Sequence, residues 1–227
     1  MSDILKGKKI LITAGPTIEF IDPVRFISNS STGKMGYAIA EELYNMSAQV
    51  ILVSGPVALK TNLPESCIIQ VKSASEMLIA CKLHFNQVDA VIFTAAVADY
   101  RPEFISGSKI KKSEVSLSIN LTPNPDIAFE FSKCKRKDQI SAGFALETDD
   151  LLANGYKKLI KKKFDFIVLN KPDPIGSGFG YDTNKIQILD KLGQLIDYKL
   201  KLKSELAKDI IEKLSQTFSD GAIVTRI

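Results

Sequence analysis

Lys9-Ile10-Leu11-Ile12-Thr13-Ala14, closed by Gly15-Pro16-Thr17, is a short apolar run ending in a turn signal. It reads as a buried parallel strand. Downstream, Ser28-Asn29-Ser30-Ser31-Thr32-Gly33-Lys34-Met35-Gly36 opens a helix predicted from about Gly33 to Met46, with Met35, Ala38, Ile39, Glu42 and Leu43 at helical spacing. The rhythm repeats: Gln49–Ser54 (QVILVS) ends at Gly55-Pro56, Cys67–Val71 is a third strand, Ser75–Phe85 a helix and Asp89–Ala95 (DAVIFTA) a fourth strand. Such alternation predicts an α/β fold, a Rossmann-like and mostly parallel sheet with helices on both faces.

The second half adds variations. Lys109–Lys112 and Val115–Asn120 are short, polar, alternating runs around Ser113-Glu114, and they predict a protruding antiparallel flap. After Pro123-Asn124-Pro125-Asp126 come a helix to about Ser132, a core strand Gln139–Ala145, a basic helix Asp150–Lys163 and a strand Phe164–Asn170. A loop rich in Pro and Gly, Lys171–Gly180, leads to Asn184–Leu189 and Gln194–Leu200, expected to form a C-terminal antiparallel strand pair, and Lys203–Phe218 is an amphipathic closing helix. No repeat or linker interrupts the chain, so residues 1–227 are expected to form a single domain.

Composition narrows the class. The chain has 227 residues, 45% hydrophobic and 25% charged, enough for a substantial core. The net charge of +4 is too small to argue for nucleic acid, and the lysine clusters lack the interleaved aromatics of a strand-binding groove. Cys67, Cys81 and Cys134 are isolated, with neither zinc-site nor disulfide spacing, and such sparse usage fits a reducing cytoplasm. The lone His84, in a predicted helix, reads as a surface or core residue. No leader and no apolar run of membrane-spanning length is visible, so no membrane partner is expected.

Chemistry is expected beyond the carboxyl ends of the strands. These ends carry Gly15–Thr17, Gly55–Pro56, Ala95–Arg101, Phe144–Thr148 and Asn170. A helix N-terminus suits an anion, and the four hydroxyls and one Asn of residues 28–32 exceed what capping one helix requires. A dinucleotide fingerprint is absent: Gly15-Pro16-Thr17 does not match GxGxxG, and the second strand ends Val53-Ser54-Gly55 with no acid for a ribose. A phosphate-cradling Walker loop is absent too, since Met35 follows Gly33-Lys34. Asp99, in Ala95-Ala96-Val97-Ala98-Asp99-Tyr100-Arg101, suits a ribose hydroxyl or a metal ion and Arg101 a phosphate, or the two form a solvated pair. Lys109, Lys111 and Lys112 suit either a solvated edge or a triphosphate clamp, and Lys158 and Lys162 share one helix face that is solvated by default.

Taken in order, AGPT, DPVRFISNSSTGKMG, LVSGPV, AAVADYR, KIKK, NPDI, GFALET and Asn170 resemble phosphopantothenate–cysteine ligase, the C-terminal half of a bifunctional coenzyme A biosynthesis protein in many bacteria. The resemblance runs from about Lys9 to the final helix. It implies that CTP activates 4′-phosphopantothenate as an acyl-cytidylate, which L-cysteine then converts to 4′-phosphopantothenoylcysteine. It implies Mg²⁺ on the phosphates, with metal-ligating residues unassigned, and a homodimer. By resemblance Asn29 and Lys109 are catalytic, Asn29 acting on the acyl-cytidylate and Lys109 holding the nucleotide during activation. CTP is expected at Phe93, Thr94, Ala95, Asp99, Lys109, Pro125, Asp126, Ile127, Ala128, Phe144, Lys158 and Lys162, with Ser30, Ser31, Thr32, Gly33 and Lys34 near phosphate. The family often has His where this chain has Ser30, and a second Gly where it has Ala14. The flavin-binding decarboxylase half is expected as a separate domain or partner, with no flavin on this chain and no catalytic cysteine. The KIKK motif resembles the CTP-using bacterial form rather than the ATP-using eukaryotic one. The competing readings are an NAD(P)-dependent reductase and a nucleotide-binding module without chemistry.

Overall fold

A computed structural model describes residues 4–112, 116–147, 149–170, 178 and 180–224, with side chains through 221. Six parallel strands form the heart of the sheet: β1 (Lys9–Ala14), β4 (Gln49–Ser54), β5 (Ile68–Gln70), β6 (Ala90–Phe93), β9 (Ile140–Leu146) and β10 (Phe166–Asn170). Two hairpins stand apart, β2 (Ile18–Phe20) with β3 (Phe26–Ser28) and β7 (Tyr100–Pro102) with β8 (Leu121–Pro123). The helices are α1 (Lys34–Asn45), α2 (Ala74–Phe85), α3 (Ile127–Ser132), α4 (Leu151–Lys161) and α5 (Lys203–Val224). β11 (Thr183–Asp190) and β12 (Leu195–Leu202) join the β10 edge antiparallel, giving the order β5-β4-β1-β6-β9-β10-β11-β12.

The doubly wound order follows from the hydrophobic pattern. β1 is buried on both faces, with Ile10 and Ile12 packed on one side and Leu11 on the other. Alternate strand residues point to opposite faces, so a continuous apolar run requires cover on both. α1 and α5 supply it on one face through Ile39, Leu43, Leu206 and Ile210. α2, α3 and α4 supply it on the other through Met77, Phe85, Phe131 and Leu159. Gly36 brings α1 against the sheet: a Cβ there would lie 2.6 Å from the Ala14 Cβ.

The expected flap differs in its pairing. The paired strands are β7 and β8, in register Tyr100↔Pro123, Arg101↔Thr122 and Pro102↔Leu121, and the Glu103 N–H donates to the Asn120 carbonyl at 2.9 Å. Residues 109–112 and 116–120 form no strand, so Lys109 and Lys111 share no strand face; Ser113-Glu114 and Val115 lie outside the described residues. The reason is local: the Ile110 N–H donates to Asp22 Oδ2 at 3.1 Å, and the Ile110 carbonyl accepts from Arg25 Nη2 at 2.5 Å. The Ile110 backbone groups that a cross-strand partner would need are already taken. The expected third strand is also shorter, because residues 65–67 turn as one 3₁₀ step.

Candidate active site

The crevice of this topology lies between β1 and β6, where β4 and β5 depart to one side and β9 and β10 to the other. A cleft of about 400 Å³ fills it. Its floor is residues 93–99 after β6; its walls are the first turn of α1, the turn into α3, the end of β9 and the side of α4.

The floor is held by backbone and hydroxyl bonds. Ala96 N–H donates to Gly15 O at 2.9 Å, Ala98 N–H to Thr17 Oγ1 at 3.0 Å, and Asn124 Nδ2 to Ala98 O at 2.9 Å. Gly15, Pro16 and Thr17 are thus buried supports behind the floor rather than part of its lining. Gly55 and Pro56 do not line the cleft either, and Thr148 lies outside the described residues. At the end of β4, Ser54 is buried and accepts from the Tyr37 hydroxyl at 3.0 Å. The place where a dinucleotide fold presents its ribose-binding acid is therefore sealed into the core.

Asn29 reaches the floor from the loop before α1. Its Nδ2 donates to Ala96 O at 3.0 Å and Val97 O at 3.1 Å. Two carbonyls fix which end of the amide is nitrogen and leave Oδ1 an acceptor with no donor among the described residues. Ser31, Thr32, Gly33 and Lys34 line the same wall, whereas Ser30 does not. Gly33 sits at φ 77° as the N-cap of α1, which has no side-chain cap. Lys34 Nζ donates to Gly180 O at 2.9 Å and pairs with Asp182 at 2.6 Å, which holds the Asp182 carboxyl below the usual carboxylate range.

The opposite wall gathers Pro125, Asp126, Ile127, Ala128, Phe144, Lys158 and Lys162 with Phe93, Thr94, Ala95 and Asp99. Asp126 caps α3, accepting from the Phe129 N–H at 3.1 Å, and also pairs with Lys162 at 2.9 Å. Lys158 pairs with Glu147 at 2.5 Å. Both lysines of this four-residue spacing border the cleft, Lys158 with part of its side chain still in solvent. Asp99 is exposed at the cleft and forms no ion pair with Arg101 among the described residues; Arg101 braces the hairpin by donating to Pro123 O and Asn124 Oδ1.

Lys109 is exposed and outside the cleft lining. Its segment is anchored beside Asp22, a fully buried carboxylate. Burial acts to raise the Asp22 pKa, but bonds from the Val24, Ile110 and Arg25 N–H groups and from the Arg25 guanidinium outweigh it and hold the carboxyl well below the usual range. None of the cysteines lines the cleft, and burial pushes the Cys81 thiol up to about 12. Sequence reasoning missed Lys203, Asn184 and Asn124, all of which line the cleft. Asn124 is adjacent to a quoted motif; Lys203 carries no local signal, because only the return of β11 and β12 brings the start of α5 to this edge. Asn170 lines the cleft as expected of a strand end, with a buried Oδ1 unbonded among the described residues. Among those residues no helix is long and apolar enough to cross a membrane.

Comparison with known proteins shows the family. The chain is 48% identical over 210 residues to a prokaryotic cysteine/cysteine sulfinic acid decarboxylase, covering 92% of this chain and 58% of that protein. It is 42% identical over 211 residues to the coenzyme A biosynthesis bifunctional protein CoaBC of Bacillus subtilis, covering 93% of this chain and 52% of that protein. The chain therefore spans little more than half the length of these curated relatives. The crystal structure of a CoaBC C-terminal domain superposes with a TM-score of 0.80 at 41% identity, over 96% of this chain and 99% of that one. A Cab2 mutant in complex with phosphopantothenate-cysteine shares the fold, with a TM-score of 0.77 at 16% identity over 97% of this chain and 89% of that one. With the profile of the DNA/pantothenate metabolism flavoprotein C-terminal domain matching residues 5–218, the chain belongs to that family.

Proposed function

We propose that this chain is a phosphopantothenate–cysteine ligase that uses CTP, acting in coenzyme A biosynthesis. The observation that carries the reading is convergence: Asn29, the 93–99 floor, the 125–128 turn, Phe144, Lys158 and Lys162 are distant in sequence and meet in one cleft. Its family and the solved CoaBC C-terminal domain support the same assignment.

In the first step a carboxylate oxygen of 4′-phosphopantothenate attacks the α-phosphorus of CTP. The bond to the β-phosphate bridging oxygen breaks, and pyrophosphate leaves. The small side chains of residues 94–98 let a nucleotide approach the backbone closely, and Lys158 and Lys162, paired with Glu147 and Asp126, border its place and can share their remaining N–H donors with it. Lys109, outside the cleft lining on the segment that Asp22 and Arg25 anchor, is assigned by the family resemblance to neutralise charge at the phosphorus. In the second step the cysteine nitrogen attacks the acyl carbon, the acyl–oxygen bond breaks, CMP leaves and the nitrogen loses a proton. The free Oδ1 of Asn29 accepts a hydrogen bond from the attacking amine.

Among the described residues Asp99 is the cleft carboxylate without an ion pair, so it would hold a Mg²⁺ ion brought in with the triphosphate, and the ion would supply charge neutralisation at the phosphates. Exposed Val24, Phe26, Tyr100, Phe104 and Ile105, on or beside hairpins whose β2 and β7 pack together, support a homodimer. A flavin-dependent decarboxylase domain or partner is consistent with the greater length of the relatives.

Mass spectrometry of products formed from 4′-phosphopantothenate and Mg²⁺ with CTP or ATP, with and without cysteine, tests the reading. The expected result is an acyl-cytidylate without cysteine, chased to 4′-phosphopantothenoylcysteine with it. Turnover with ATP alone removes the nucleotide assignment and keeps the ligase; no turnover with either removes the ligase.

A further inference from the structure

Asn29 is exposed and begins an irregular stretch, residues 29–33, between β3 and α1. Its bonds to Ala96 O and Val97 O form only if its backbone keeps a fixed height above the floor. The residue before it sets that height. The Ser28 hydroxyl donates to the Thr17 carbonyl at 2.8 Å; it lies 3.4 Å from the Asn29 carbonyl, too far to compete.

Thr17 is the other half of the device. It is fully buried and joins three parts of the chain. Its N–H donates to Ala96 O at 3.3 Å, its Oγ1 accepts from the Ala98 N–H at 3.0 Å, and its carbonyl accepts from Ser28. Ala96 O therefore receives both the Thr17 N–H and Asn29 Nδ2, and both acceptors of the Asn29 amide lie in the 96–98 segment that Thr17 clamps.

Strand pairing alone is a weak hold. β2 and β3 have three residues each, Ser28 is the last residue of β3, and a two-stranded hairpin is marginal by itself. Helix capping does not account for the Ser28 hydroxyl either, since α1 has no side-chain cap. Neither Ser28 nor Thr17 lines the cleft, so each acts through another residue.

We infer that Ser28 and Thr17 are positioning residues: the bond from the Ser28 hydroxyl to the Thr17 carbonyl holds the Asn29 amide in register with Ala96 and Val97, and amide formation depends on that link. The inference rests on the proposed ligase reading, which gives Asn29 its step.

The test is single-turnover rapid quench with labelled CTP on the unmodified chain, Ser28→Ala and Ser28→Thr. Loss of one such bond should slow the cysteine-dependent decay of acyl-cytidylate by roughly 2- to 12-fold. Pyrophosphate release should keep its rate, and Ser28→Thr, which retains the hydroxyl, should restore most of the decay. In an Asn29→Ala background Ser28→Ala should slow decay no further, because its effect runs through the amide. A general weakening of the fold would instead slow both steps and add to the Asn29 change. Unchanged decay, equal slowing of pyrophosphate release, or additivity with Asn29→Ala overturns the link. Thr17→Val keeps the shape and removes the acceptor of the Ala98 N–H, so it should slow decay as well; unchanged decay there takes Thr17 out of the device. Absence of turnover by the unmodified chain would sink the ligase reading, and NMR then decides the link without activity. The Asn29 side-chain NH₂ signal, identified by its loss in Asn29→Ala, should exchange faster with water in Ser28→Ala; equal exchange in the two chains overturns the inference.

Discussion

Replacing Asn29 by aspartate is expected to separate the two proposed half-reactions. The side chain is held by two bonds, Nδ2 to Ala96 O at 3.0 Å and to Val97 O at 3.1 Å. Aspartate has no donor to offer, so both are lost at about 0.5–1.5 kcal/mol each, or roughly 1–3 kcal/mol in total. The new carboxylate oxygen also faces two carbonyl oxygens and swings away from them. If Asn29 acts only in amide formation, that energy corresponds to a slowing of the second step by roughly 5- to 150-fold. Rapid-quench analysis with labelled CTP reads both steps in one experiment. Pyrophosphate should be released at the usual rate, acyl-cytidylate should persist, and product should appear slowly. Asn29→Ala loses the same donors and the Oδ1 acceptor as well, so it should slow the second step at least as much. Product formation at the unmodified rate, or equal slowing of pyrophosphate release, would refute the reasoning.

Asp22→Asn should loosen the anchor of residues 109–112 and slow pyrophosphate release in the same direction as Lys109→Gln; a rate unaffected by the Asp22 change would show that the anchor does not govern Lys109. Because the folded-state pKa of Asp22 is depressed, its stabilisation is present above the unfolded value of about 3.9 and fades as pH falls below it, so the melting curves of the two chains should converge in acid. Gly36→Ala should destabilise by about 1–3 kcal/mol, since the new methyl meets Ala14 at 2.6 Å; an unchanged melting temperature would contradict that approach. Asp165→Ala removes the partner shared by Lys135 at 2.5 Å, Lys191 at 2.7 Å and the Ser141 N–H, and denaturant unfolding should report a loss of about 3–5 kcal/mol, whereas a loss below about 1 kcal/mol would make the cluster a surface pair in effect.

The parallel sheet was legible because its signal is local. KILITA, QVILVS, DAVIFTA and FDFIVLN are runs whose burial on both faces follows from composition alone, and the structure places β1, β4, β6 and β10 within them. The cleft was legible where small residues or a proline turn mark a strand end, as at residues 93–99 and 125–128. The flap was misread because Lys-Ile-Lys-Lys alternates like a strand while its backbone partners are Asp22 and Arg25, far away in sequence. Lys203 was invisible for the same kind of reason. Its neighbours read as the polar face of a closing helix, and only two antiparallel strands added to the sheet edge carry it back to the cleft.

The anchor at Asp22 ties together features that look separate in the sequence. Asp22 accepts from the β2–β3 turn at Val24 and Arg25, from the Arg25 guanidinium and from Ile110. Val24 and Phe26, which flank Arg25, are among the exposed apolar side chains assigned to the proposed homodimer. A partner seated there would remove water from the Arg25 side of the cluster, where the guanidinium chain is 42% exposed, and would strengthen the bonds that hold Ile110. Dimer formation and the position of Lys109 are then one equilibrium. Asn29 lies three residues beyond Phe26 on the same β3 exit, so the hairpin proposed to meet a partner also leads into the residue proposed for amide formation.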